Sequence, residues 1–119
     1  MKDFHELKVW QRAHQLTLAV YELTRGFLRE ELYNLTSQMR RCSCSVPTNL
    51  AEGCGRSGDT EFARFCSIAM GSASELEYLL LLARDLKLVK AEEYRNLAEA
   101  TSEVKRMLAA LIGKLNADR

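Results

Sequence analysis

The chain is poor in the residues that punctuate β structure and in those that carry most cofactor chemistry. Its 119 residues include one proline and six glycines, too few for an all-β domain assembled from many turns. There are two histidines, His5 and His14. Neither stands three residues after a glutamate, so the Glu-x-x-His pairs of a di-iron bundle are absent and no metal or other cofactor is expected. The densest apolar segment, Leu79 to Ala83, falls far short of the ~20 residues of a membrane span. Asp3, His5, Glu6 and Lys8 interrupt the N-terminus, which excludes a signal-peptide core there. Excess charge is missing too: 17 basic and 16 acidic residues leave +1, so any affinity for nucleic acid has to come from a local patch.

What remains is the composition of one soluble domain spanning residues 1–119, 47% hydrophobic and 28% charged, which excludes wholesale disorder. A cytoplasmic location is expected. There the four cysteines Cys42, Cys44, Cys54 and Cys66 are reduced rather than paired, and the Asn34-Leu35-Thr36 sequon carries no sugar.

Four segments have helical periodicity. From about Leu7 to Arg25, Val9, Ala13, Leu16, Val20 and Leu23 share one face, and Gly26 is placed to end the helix in a left-handed cap. From about Glu30 to Cys54 the apolar phase of Leu35, Met39, Cys42 and Val46 persists across Pro47. That predicts one helix kinked near Ser43–Pro47, with Ser43 or Thr48 hydroxyls compensating the freed backbone groups. A glycine-rich loop follows, with Asp59 as the expected N-cap of a third helix from about Thr60 to Leu88. Its Leu79–Leu82 run is apolar nearly all round, which predicts cover by a second subunit. From about Ala91 to Asn116, Tyr94, Leu97, Thr101, Val104, Leu108, Leu111 and Leu115 alternate steps of three and four, the seam of near-parallel helix packing. The expected fold is all-α: an up-down-up-down antiparallel four-helix bundle.

Catalytic motifs are scarce. Cys42 and Cys44, two apart on a helix, point about 200° apart and do not share a tetrahedral ion. Gly53 to Gly58 matches G-x-G-x-x-G, but the dinucleotide mechanism needs a strand before it, and here a helix precedes it. The loop either turns the chain or, with Arg56 and the N–H groups opening helix three, holds an anion. Glu52 and Glu75 near the seam offer acid–base chemistry, or hydrogen bonds inside the bundle. Arg40-Arg41 is an adjacent basic pair. With Arg56 and Arg64, and with Lys8 and Arg12, it reads either as a phosphate-binding face or as a solvated surface. No aromatics interleave with these cations along the sequence.

Several blocks stand in order: F-x-x-L-x-V-W at Phe4 to Trp10, L-x-x-Q-x-R-R at Leu35 to Arg41, S-V-P-x-N-x-A-E-G at Ser45 to Gly53, and G-S-A-x-E at Gly71 to Glu75. By these the chain resembles the four-helix bundle family of 23S rRNA intervening-sequence proteins, and it is similar to the accessory variability determinants of diversity-generating retroelements. The resemblance implies a homopentamer with a central channel and no enzymatic activity, hence no catalytic residues. For the retroelement proteins it implies binding to RNA or DNA, and to a reverse transcriptase, through a basic surface, which carries over to Arg40, Arg41 and Arg56. The net charge of +1 departs from the strongly basic retroelement members. In physical terms, Gln38, Asn49, Glu52, Ser72 and Glu75 read as a structural polar layer between helices two and three. The small residues Gly71 to Ser74 let another helix approach closely. The expected function is a non-enzymatic oligomeric scaffold binding structured RNA through a basic face; the alternative is a purely structural or protein-binding homo-oligomer.

Overall fold

The computed structural model describes residues 2–117, so Met1, Asp118 and Arg119 lie outside the described residues. Four helices form: α1 (Lys8–Thr24), α2 (Ser37–Cys54), α3 (Asp59–Asp85) and α4 (Ala91–Ala117). A 3₁₀ turn, Phe4–Glu6, precedes α1. A second, Arg29–Glu31, runs into a π-helical turn, Leu32–Thr36, that leads into α2. No strand occurs among the described residues. Each helix packs on its chain neighbours and α1 closes against α4, giving a body 46 × 22 × 20 Å.

The seams read from periodicity make up most of the core, and Leu50 joins them. Met39, Val46, Leu50, Ala69, Leu76, Leu80, Thr101, Val104 and Leu108 are essentially inaccessible. α3 is long and apolar enough by composition to cross a membrane, but Phe62, Phe65, Leu76, Leu79, Leu80 and Ala83 are buried in the bundle. The leucine run expected to need a second subunit is therefore covered largely within the protomer. Leu79 and Leu80 are buried, and Leu81 and Leu82 are half-buried.

α2 runs continuously through Pro47. Proline has no N–H for the Ser43 carbonyl four residues back, and that acceptor is met from outside the helix: Thr17 Oγ1 of α1 donates to it at 2.8 Å. The hydroxyls expected to serve here are used elsewhere. Ser43 Oγ donates to the Arg40 carbonyl at 3.1 Å, and Thr48 Oγ1 lies 3.8 Å from Cys44 Sγ.

The helix ends differ from expectation in two places. Among the described residues, positive φ occurs only at Gly58 and Lys87. Gly26 thus stays out of the left-handed region, and α1 closes by short turns, with the Gly26 N–H on the Leu23 carbonyl at 3.3 Å. The N-cap of α3 is Gly58, with φ 83° and ψ 157°, a conformation essentially restricted to glycine. Asp59 and Glu61 lie in the first turn instead, where the helix dipole favours negative charge.

Candidate functional site

The π-turn before α2 has a consequence for the basic pair. A π-turn carries an extra residue against helical phase and re-aims the side chains around it. Leu35 and Thr36 turn into the core, while Leu32 and Tyr33 stay on the surface, Tyr33 with 92% of its area exposed. One turn further along, Arg40 and Arg41 project beside them. Together with Tyr21 from α1 and the hydroxyls of Thr36, Ser37, Ser45 and Thr48, they line a cleft of about 670 Å³.

The two arginines are held differently. Arg40 is half-buried. Its Nε donates to Thr24 Oγ1 at 2.8 Å, and its guanidinium lies 4.7 Å from the Tyr21 ring centroid. A cation at the C-terminal end of α1 also meets the negative end of that helix dipole. Arg40 therefore pins α2 to the last turn of α1. Arg41 is exposed and makes one side-chain hydrogen bond, from Nη2 to Ser37 Oγ at 3.1 Å. No carboxylate lines the cleft, and neither arginine belongs to an ion pair among the described residues.

A second cleft of about 480 Å³ continues the first along α1 and α2, sharing Tyr21, Cys44 and Thr48 with it. Its walls include Phe4, Trp10, His14, Leu18 and Pro47. Trp10 stacks on His14 with centroids 5.2 Å apart and planes 5° apart. The aromatics that do not interleave with the cations in sequence are thus gathered beside them by the fold.

Arg56 is not brought to this place. It lies beyond the far end of α2, its guanidinium 5.2 Å from the Phe65 ring, at a small crevice shared with Lys2, Gly58 and Asp59. The expected polar layer is also smaller than its sequence version. Ser45 and Ser72 share a hydroxyl hydrogen bond at 2.8 Å, and Asn49 Nδ2 donates to the Ser45 carbonyl at 2.8 Å and to Ser45 Oγ at 2.9 Å. Gln38 instead bonds Asn34 Oδ1 on the surface. Glu52 and Glu75 are exposed, because Gly53 and Leu76 take the buried positions beside them. Neither carboxylate lines either cleft, so no paired-acid site forms there. Gly71 has open space where a Cβ would stand, so no helix of this chain closes on it.

Three of the four cysteines are buried. Burial pushes the Cys42 thiol up to about 12, with the Glu75 carboxylate adding to the shift, and the Cys66 thiol up to about 11. Such thiols stay protonated and unreactive at neutral pH. No group of three or more His, Cys, Asp or Glu arranged to hold a metal occurs among the described residues.

The family model described as 23S rRNA-intervening sequence protein matches residues 5–110. Among solved structures, a protein of unknown function from the S23 ribosomal protein family of Bacteroides thetaiotaomicron is similar in fold, with a TM-score of 0.79 at 20% identity, over 87% of this chain and 97% of that one. No curated protein matches the chain.

Proposed function

The chain belongs to the 23S rRNA-intervening sequence protein family, and from that premise we propose that it is a non-enzymatic, oligomeric helical scaffold that binds structured RNA through the Arg40–Arg41 cleft. The observation that carries this reading is the cleft's lining: two guanidinium groups, tyrosines and hydroxyls, with no carboxylate. Such a surface attracts phosphate, and Arg41 has its donors largely free for it. Repetition of the cleft around a homo-oligomer, a pentamer by family resemblance, multiplies a weak contact through avidity. This compensates for a net charge of only +1.

The test is binding of labelled structured RNA and of duplex DNA, titrated across salt. Saturable binding that weakens steeply with salt is expected, because several phosphates release counterions. Arg41→Glu is expected to weaken it at every salt concentration, and Arg56→Glu to leave the cleft's share intact. Arg41→Glu binding RNA as well as the wild type would move the site elsewhere.

The alternative, a structural or protein-binding homo-oligomer, is favoured by the apolar side chains left outside the bundle: Leu18, Leu28, Ile68, Tyr78 and Leu86 are exposed. Sedimentation tests both readings, since a monomer in solution contradicts the oligomer in each. Oligomers without RNA affinity would select the alternative.

A further inference from the structure

We propose that the Arg40–Arg41 cleft takes an unpaired nucleotide, its base stacked on Tyr33 and its phosphate held by Arg41, so that RNA is engaged at a loop or bulge and not along a duplex. The inference rests on the nucleic-acid reading above and narrows it to one class of substrate.

Three observations meet here. Tyr33 is a large aromatic with 92% of its area exposed, and it is presented by a π-turn at the cleft's rim. A ring on a solvated turn does nothing for the core, but it offers an open face to a flat partner. Tyr21, the other tyrosine of the cleft, is already covered by the Arg40 guanidinium, which leaves Tyr33 as the free stacking platform. Next, Arg41 is bonded only to a serine hydroxyl within its reach, so an anionic group near Tyr33 meets an unneutralised cation. Finally, the cleft is open to solvent, and its volume of about 670 Å³ lies within the range of small-molecule sites. It has room for a single splayed nucleotide, and a base paired and stacked within a duplex offers no face to Tyr33. Aromatic, cation and hydroxyls together are the parts used to hold single-stranded nucleic acid: stacking is indifferent to base identity, and the cation follows the phosphate.

The experiment compares a labelled RNA hairpin carrying an unpaired loop with a blunt RNA duplex of equal length, across salt, for the wild type, Tyr33→Ala, Tyr33→Phe and Arg41→Glu. The hairpin is expected to bind about tenfold or more tighter than the duplex. Tyr33→Ala should abolish that preference without altering duplex affinity or the salt slope, and Tyr33→Phe should keep it. Arg41→Glu should lower the salt slope by about one. Equal binding of hairpin and duplex, unmoved by Tyr33→Ala, would overturn this inference and leave the phosphate-binding scaffold standing. Absence of binding to either RNA would overturn both. Because Tyr33 is solvated, its variants keep the helical content of the wild type, which circular dichroism checks.

Discussion

The Thr17 hydroxyl of α1 donates to the Ser43 carbonyl of α2 at 2.8 Å, the acceptor that Pro47 deprives of its intrahelical N–H. Both residues are buried, and the same hydroxyl lies 3.0 Å from the Ala13 carbonyl of its own helix. A buried carbonyl left without a donor costs about 1–3 kcal/mol. Thr17→Val, which keeps the shape and removes the hydroxyl, is expected to cost about that much in urea unfolding. Pro47→Ala restores an N–H four residues beyond Ser43. In that background, Thr17→Val should cost distinctly less, giving a measurable coupling between the two sites. Strictly additive costs would show that Thr17 does not serve this carbonyl.

Two glycines separate close packing from open space. A Cβ on Gly53 would stand 2.9 Å from Phe65 Cβ and 3.0 Å from Phe62 Cδ1. The end of α2 therefore meets α3 at a distance only glycine permits. Gly53→Ala is expected to destabilise by about 1–3 kcal/mol through overpacking. Gly71, inside α3, has nothing within 4 Å of its missing Cβ, so Gly71→Ala should stabilise the protomer by up to about 1 kcal/mol through helix propensity. Sedimentation of the Gly71→Ala protein adds a second reading. Weakened self-association together with a more stable protomer would place this position against a neighbouring subunit.

The end of α3 carries a residue in a costly conformation. Lys87 has φ 63°, the Lys87 N–H bonds the Arg84 carbonyl and the Leu88 N–H bonds the Ala83 carbonyl, each at 2.9 Å. This is the Schellman arrangement, whose left-handed position is usually glycine. Lys87→Gly relieves the Cβ strain, partly offset by greater freedom of the unfolded chain. A net gain of up to about 1 kcal/mol is expected in thermal or urea unfolding, and a loss would mean that the lysine side chain contributes more than its backbone strain costs.

Helical period made the core legible. Leu97, Thr101, Val104, Leu108 and Leu115 are buried, as steps of three and four require. The same period does not reach Glu52 and Glu75: each stands beside a seam residue, Gly53 and Leu76, that takes the buried position, and one residue off the seam is enough to leave a carboxylate exposed. The candidate site was half legible. Arg40-Arg41 stands out as a basic pair, but Tyr21 and Tyr33 reach it by two routes that local pattern does not encode: packing of α1 on α2, and the change of phase at the π-turn. Thr17 escaped for the same reason, since its partner carbonyl is 26 residues away.

Thiol chemistry reports on the cleft and on the core separately. Cys44 is exposed and lines both clefts, whereas Cys42, Cys54 and Cys66 are buried. Alkylation of the native protein at mildly basic pH is expected to modify Cys44 alone, and bound RNA should slow it; denaturation should open all four sites. The buried thiols also set a pH dependence. Their folded pKa values, about 12 for Cys42 and about 11 for Cys66, lie above the ordinary 9.0. The folded chain keeps protons that the unfolded chain releases. Stability is therefore fully present below about pH 9 and falls as pH rises toward the folded values, by about 1.4 kcal/mol per pH unit for each thiol. Cys42→Ala and Cys66→Ala start less stable but should lose stability less steeply above pH 9. Slopes equal to the wild type would mean that these thiols ionise as freely in the folded protein as in the unfolded chain, and that burial does not protect them.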